Sequence, residues 1–198
     1  ILSGVLSIFD DPEFIINNYL NNLEKNGKLF IFGAFNPHPY NVLVKYDREN
    51  EEKMGIKDDL YRRVWTQPIT TFASNYNLFD VSMAPLKDHT FNLMKSQLKV
   101  IEAGFHKKAL IAQDFGPYQI DCINAYEKGG TFNSKGNSLL IDASRNHKQW
   151  AQHIKRLVTN PSLIEDLGER LYESVQKYHI DRVTEERAEL YKQIIKSH

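Results

Sequence analysis

Short apolar runs that predict strands alternate with amphipathic stretches that predict helices along this chain. Residues 4–9 (GVLSIF) and 28–35 (KLFIFGAF) predict two buried strands. Between them, the Asp-Asp-Pro sequence at residues 10–12 predicts the start of a helix, and Asn26-Gly27 predicts its end. Two strands joined by a helix through short links form a βαβ unit, so we expect a parallel sheet.

The same alternation continues to the C-terminus. Further strands are predicted at residues 62–66, 80–84, 109–113 and 138–141. Helices are predicted at residues 68–77 and 91–105 and from residue 146 onward, with breaks at 160–161 and 178–181. These segments predict an α/β fold, a Rossmann-like three-layer sandwich with a mostly parallel sheet of about five or six strands. A length of 198 residues suits one domain that spans residues 1–198.

Charge is balanced over the chain, with 25 basic and 25 acidic residues. No global field therefore steers the protein to nucleic acid or to acidic lipid, and any anion-binding site must be local. Hydrophobic residues make up 41% of the chain, which is enough to form a core. The seven histidines are scattered without metal-ligand spacing, so we expect no metal site.

The single cysteine, Cys122, excludes an internal disulfide framework and a multi-cysteine metal site. It fits a reducing compartment, and we expect an inert buried thiol and a cytoplasmic protein. No apolar run approaches the roughly 20 residues that cross a bilayer, and no signal peptide is visible. The chain begins at Ile1 within an apolar run, which favours a piece of a longer protein.

Polar side chains follow the predicted strand at residues 80–84, where a doubly wound sheet would bind its ligand. The predicted helix at 91–105 carries Asn92, Lys95 and Ser96 in its first turns, and Lys99 and Glu102 further along. In one continuous helix, Lys95, Lys99 and Glu102 would share a flank.

These side chains suit a nucleoside diphosphate. A helix N-terminus presents free N–H groups and a positive partial charge to phosphate. Ser96 adds a hydroxyl donor, and Lys95 or Lys99 adds positive charge. The Glu102 carboxylate accepts hydrogen bonds and suits two adjacent ribose hydroxyls. We therefore predict a donor site at residues 80–102, formed by Asn92, Lys95, Ser96, Lys99 and Glu102.

The pattern D-V-x-x-A-P-L…F-N-x-x-K-S-x-L-K-x-x-E-A resembles the donor-binding core of retaining, family-four-like GT-B glycosyltransferases. The sequence ALIAQDFGPY at residues 109–118 resembles the strand and loop that follow in that family. Glu102 matches the second glutamate of the family's E-x7-E motif, the ribose ligand. Met94 stands where the first glutamate is expected.

The resemblance covers about residues 61–191, and it implies the C-terminal, nucleotide-sugar-binding half of a hexosyltransferase. The donor would be a nucleotide diphosphate sugar, used with retention and without metal or cofactor. The acceptor would bind to an N-terminal domain of the same protein, so this chain alone should be inactive. The family also allows peripheral membrane association of the parent enzyme.

Two other interpretations stay open. Met94 allows a non-catalytic nucleotide-binding module. Residues 4–33 also resemble the later strands of a class I methyltransferase, which would bind S-adenosylmethionine through an upstream glycine-rich loop. A Lys/Glu helix face is most often only solvated. We expect Phe91 and Leu98 in the core, with Leu98, Ile101 and Phe105 on one side of their helix.

Overall fold

The computed structural model describes residues 2–3, 32–35, 64–65, 68–86, 88, 90–127, 130–142 and 146–197. The helix predicted between residues 12 and 26 lies outside these ranges, as do the whole first predicted strand at residues 4–9 and Lys87 and His89. None of the described helices is long and apolar enough to cross a membrane.

Six described strands form one parallel sheet. They are β1 (Leu2–Ser3), β2 (Phe32–Phe35), β3 (Val64–Trp65), β4 (Val81–Ala84), β5 (Ala109–Gln113) and β6 (Leu139–Ile141). Their spatial order is β3-β2-β1-β4-β5-β6, and every neighbouring pair is parallel. This is the order of a doubly wound fold, and the direction of winding reverses between β1 and β4.

The strand predictions agree closely with the sheet from β2 to β6, whereas β1 lies just before residues 4–9, the predicted first strand. β5 has its predicted bounds, and β4 and β6 each begin one residue later than predicted. β2 and β3 lie inside their predicted segments.

Helices occupy both faces of the sheet. They are α1 (Ile69–Phe72), α2 (Thr90–Leu93), α3 (Leu98–Phe105), α4 (Asn146–Thr159), α5 (Pro161–Val175) and α6 (Ile180–Lys196). Short 3-10 segments cover Ala73–Leu78, Gly116–Ile120 and Gln176–Tyr178. The predicted breaks are confirmed, because Pro161 opens α5 and the extended residue His179 precedes α6.

The core has two layers because alternate strand residues point to opposite faces. On one face, strand residues such as Met83, Ile111 and Ile141 pack with Trp150, Ile154 and Leu157 of α4. On the other face, Ala84, Leu110 and Leu140 pack with Val100 and Ala103 of α3 and Leu171 of α5. This confirms the three-layer Rossmann-like sandwich.

The prediction of one continuous helix at residues 91–105 is wrong. α2 ends at Leu93, where the N–H groups of Met94 and Lys95 bond three residues back, to the carbonyl oxygens of Phe91 and Asn92. A second helix, α3, then starts at Leu98. Such i→i+3 bonds close a tight turn and do not propagate an α-helix.

The buried face of α3 also differs from the prediction. Val100, Ala103 and Gly104 face inward, whereas Leu98 is 53% exposed. A Cβ on Gly104 would lie 2.6 Å from Cγ2 of Val175, so α3 and α5 approach as closely as a glycine allows. Because α3 and α5 lie so close together, the face of α3 that carries small residues is the one that packs against α5.

The outer edge of β6 is closed by side chains at Leu140. Its N–H donates to Oδ1 of Asn124 at 3.2 Å, and its carbonyl oxygen accepts from Nε2 of His153 at 3.2 Å. Nδ1 of His153 accepts from Nη1 of Arg156 at 3.4 Å. Burial lowers the pKa of His153 to about 4, so the ring is neutral and its hydrogen lies on Nε2.

Candidate functional site

Glu102 lies in α3 with its carboxylate held by two donors. The Tyr76 hydroxyl donates to Oε2 at 2.8 Å, and Nζ of Lys99 donates to the same oxygen at 3.0 Å. The side chain keeps 21% of its surface exposed, and no described residue donates a hydrogen bond to Oε1. One carboxylate oxygen is therefore fixed by the protein, and the other can accept bonds from a ligand.

Tyr76 is a site residue that the sequence did not reveal. It lies in the 3-10 segment Ala73–Leu78, 26 positions from Glu102, and its ring stacks on His106 with centroids 4.5 Å apart. Burial, followed by the negative charge of Glu102, raises the pKa of Tyr76, so its hydroxyl stays protonated and donates. No local spacing joins residues so distant, so only the tertiary fold shows the pair.

Lys99 contributes a cation at the start of α3. Its ammonium lies 3.0 Å from Glu102 and 5.3 Å from the centre of the Phe72 ring. The predicted pairing of Lys99 with Glu102 on one helix flank is confirmed. Because both side chains are partly exposed, the pair adds only about 0–1 kcal/mol to stability. The ion pair places the positive charge of Lys99 next to the open carboxylate oxygen of Glu102.

The other three predicted residues lie outside α3. Asn92 belongs to α2, and Lys95 and Ser96 lie exposed in the turn between α2 and α3. Nζ of Lys95 lies 5.3 Å over the ring of Phe91. The predicted common flank of Lys95 with Lys99 and Glu102 is therefore wrong, because the turn at residues 94–97 interrupts the helix. Among the described residues, no contact joins Lys95 or Ser96 to Glu102.

The start of α3 still has the spacing that a nucleotide requires. Gln97 caps the helix with its carbonyl oxygen, which accepts from the N–H groups of Val100 and Ile101. The N–H groups of Leu98 and Lys99 precede these bonds and have no partner within the helix. Glu102 follows Leu98 by four positions, a rise of about 6 Å. Phosphate at the helix start and ribose at Glu102 fit this separation.

An exposed apolar surface lies next to these residues. Met94 is 84% exposed and Phe91 67%, and Leu93 and Leu98 are also more than half exposed. The prediction that Phe91 and Leu98 belong to the core is wrong, since the break after α2 leaves both outside the packed face of α3. At the position of Met94, where the resembled motif has a glutamate, the molecule presents a thioether.

The loop after β5 packs against α2. Gly116 has φ +57°, and a Cβ there would lie 3.5 Å from both the Asn92 carbonyl oxygen and Cδ2 of Leu93. Pro117 and Tyr118 are buried, and burial raises the pKa of Tyr118 to about 12. The segment behaves as a rigid turn that supports the start of the candidate site.

A polar groove of about 960 Å³ lies beside the ends of β5 and β6. Asp114 and Asp142, which follow β5 and β6, line it together with residues of α4 such as Gln149, Gln152 and Arg156. None of the five predicted donor residues lines this groove. In the part of the chain that the structure describes, no three His, Cys, Asp or Glu side chains gather to hold a metal ion.

Comparison with known proteins identifies the fold and nothing finer. No family model and no curated protein matches the sequence. Sucrose-phosphate synthase from Thermosynechococcus elongatus superposes with a TM-score of 0.64 at 18% identity, over 95% of this chain and 44% of that one. A glycosyltransferase from Rickettsia africae ESF-5 gives 0.67 at 14% identity, over 93% and 44%.

The Anabaena protein HepE, solved in complex with UDP and glucose, gives a TM-score of 0.68 at 10% identity. That match covers 97% of this chain and 48% of HepE. The chain thus has the Rossmann-like fold found in GT-B glycosyltransferases, as its sequence pattern predicts. It spans less than half the length of these solved chains.

Proposed function

We propose that this chain is the nucleotide-sugar-binding, C-terminal domain of a GT-B glycosyltransferase that transfers a hexose with retention. The observation that carries the proposal is the Glu102 carboxylate, held through Oε2 by Tyr76 and Lys99 with Oε1 open to a ligand. It lies in the helix that follows β4, beside the point where the winding of the sheet reverses. Doubly wound folds bind ligands at that point.

In this proposal different residues contact different parts of the donor. Oε1 of Glu102 accepts bonds from the ribose hydroxyls, and the first N–H groups of α3 with Ser96 donate to the diphosphate. Lys99 and Lys95 supply positive charge to the departing diphosphate, which stabilises the charge that develops as the sugar leaves. Asn92, in α2, is assigned to the sugar. No metal or cofactor takes part.

A second domain of the same protein is the proposed partner. α6 has no buried residue, and one side of it carries the apolar side chains Val183, Leu190, Tyr191 and Ile194. The chain spans less than half of the matched structures, so a domain of similar size remains to cover such a surface. We propose that an N-terminal, acceptor-binding domain packs there.

A membrane surface fits α6 less well. Its charges balance, with Asp181, Glu185, Glu186 and Glu189 against Arg182, Arg187, Lys192 and Lys196. Binding to anionic lipid needs an excess of basic residues. Peripheral membrane association of the parent enzyme therefore needs another surface. We propose the cytoplasm as the compartment, because Cys122 is a buried free thiol.

The decisive experiment is calorimetric titration of the chain with UDP, GDP and ADP. We expect one diphosphate to bind, and Glu102→Gln to weaken its binding by about tenfold or more, since an open charged acceptor contributes about 1.5–3 kcal/mol. Glu185→Gln, exposed on α6, is the matched control and should bind as the wild type does. Absence of binding by all three nucleotides would refute the proposal, and binding of S-adenosylmethionine instead would favour the methyltransferase interpretation.

Met94 supports the second candidate, a nucleotide-binding module without catalysis. A thioether cannot hold a sugar hydroxyl or support charge at the reaction centre. Full-length protein that binds the diphosphate and neither transfers nor hydrolyses its sugar would favour this candidate. In both cases the isolated chain should bind the nucleotide without turnover.

A further inference from the structure

A buried carboxylate anchors the segment that follows α5. The Asp121 side chain is 0% exposed and bonds to Nζ of Lys177 at 2.6 Å. The Tyr178 hydroxyl donates to Oδ2 at 2.9 Å, and the backbone carbonyl oxygen of Asp121 accepts from Nδ2 of Asn137 at 2.8 Å. A buried charge is tolerated only when it is paired and hydrogen-bonded, so these contacts fix the Tyr178 hydroxyl in one position.

The same hydroxyl reaches the start of α3. Nε2 of Gln97 donates to the Tyr178 oxygen at 2.9 Å, although the two residues lie 81 positions apart. Because Tyr178 donates its hydrogen to Asp121, its oxygen is the acceptor for Gln97. The bonds therefore run in one direction, from Gln97 through Tyr178 to a carboxylate, and each polarises the next. We call these three residues the Gln97–Tyr178–Asp121 chain.

Gln97 is the residue that caps α3. Its backbone carbonyl oxygen starts the helix, and its side chain bonds to the anchored Tyr178. The turn before it is exposed, with Met94 and Ser96 directed to solvent. The Gln97 side chain thus connects the first turn of α3, and with it Lys99, to the 3-10 segment that follows α5.

We propose that Tyr178 is a positioning residue for the nucleotide-sugar donor. It acts through Gln97 and holds the first turn of α3 in the orientation that Lys99 and the helix N–H groups need. This inference rests on the function proposed above. A preset helix start avoids the ordering that the donor would otherwise impose on residues 94–97, and such ordering weakens binding.

A double-mutant cycle tests the route through Gln97. Tyr178→Phe removes only the hydroxyl, and Gln97→Met keeps the length of the side chain without its amide. We titrate both single variants and the double variant with whichever of UDP, GDP or ADP the wild type binds. Each single change should weaken binding about 3- to 10-fold, the effect of one hydrogen bond. The double variant should bind no more weakly than the weaker single variant.

The outcomes separate this inference from the proposed function. A wild-type chain that binds no diphosphate refutes both. If the wild type binds and Tyr178→Phe binds equally well, the inference alone is wrong, even where thermal unfolding shows lower stability. Additive effects of the two changes would also overturn it, since they exclude action through Gln97. Tyr172→Phe, in α5 with its ring beneath Lys107, is the matched control and should leave affinity unchanged.

Discussion

At the scale of single residues, Tyr76 decides how Glu102 presents its carboxylate. Tyr76→Phe removes the donor to Oε2 and leaves Lys99 as the described partner of that oxygen. The carboxylate can then rotate toward Lys99, so we expect diphosphate affinity to fall about fivefold, which is the effect of one ordinary hydrogen bond of about 1 kcal/mol. Calorimetry measures the change. Tyr172→Phe, which keeps its ring beneath Lys107, serves as control, and equal affinity of Tyr76→Phe and wild type would contradict the role.

His153 makes stability depend on pH. Its pKa is about 4 in the folded chain, against an ordinary value of 6.5, because burial disfavours the charged ring. The unfolded chain therefore binds the extra proton first, and the free energy of unfolding falls as pH drops from about 6.5 to about 4. A pKa shift of this size corresponds to a loss of about 3 kcal/mol in the free energy of unfolding.

Urea unfolding between pH 4.5 and 7 checks this prediction. His153→Gln can still donate to the Leu140 carbonyl oxygen and does not titrate, so its stability should vary less over this range. His179→Gln changes a half-exposed ring and should keep the wild-type slope. An unchanged slope in His153→Gln would show that the dependence arises elsewhere.

At the scale of elements, Gly168 sets how α5 approaches the sheet. A Cβ at this position would overlap the backbone carbonyl oxygen of Lys107, just before β5. Backbone cannot move aside as a flexible side chain can, so Gly168→Ala should destabilise the protein by about 2–4 kcal/mol. The urea midpoint measures the loss. Glu165→Ala, exposed on the same helix, should change stability little, and a similar midpoint for both variants would argue against the overlap.

The elements were predictable where the pattern is local. The apolar runs of β4, β5 and β6 are short, buried on both faces and bounded by polar residues, so their bounds follow from sequence. The break inside residues 91–105 was not predictable. Those residues have helical spacing throughout, and the turn at 94–97 lies between two long-range contacts. Gly116 of the loop after β5 lies against Asn92 and Leu93, and Gln97 bonds to Tyr178 of the 3-10 segment Gln176–Tyr178.

The candidate site was predictable only in part for the same reason. Lys99 and Glu102 lie three positions apart, and helical geometry alone brings them together. Tyr76, Tyr178 and Asp121 reach α3 from distant parts of the chain, where no spacing rule applies. Lys95 was misplaced because its predicted position assumed an uninterrupted helix.

At the scale of the whole molecule, α6 contributes little to the stability of this domain. It has no buried residue and contacts the 3-10 segment Gln176–Tyr178. Removal of residues 180–198 should therefore shift the thermal midpoint by only a few degrees and leave nucleotide affinity unchanged. Leu171→Ala, which truncates a fully buried side chain, should by contrast lower the free energy of unfolding by about 2–5 kcal/mol. A truncated chain that unfolds would show that α6 belongs to the core.

The side chains bonded to Leu140 prevent the sheet from adding another strand next to β6. An unpaired strand edge invites a strand from another molecule, which is a common route to aggregation. Here Asn124 and His153 occupy the donor and acceptor that such a strand would use. These two side chains therefore prevent another strand from pairing with β6 at Leu140. Of the two, His153 is the one that titrates. Protonation of His153 near pH 4 removes the acceptor for Arg156 but keeps the Nε2–H on the Leu140 carbonyl oxygen, so acidification should lower stability while this edge of β6 stays covered.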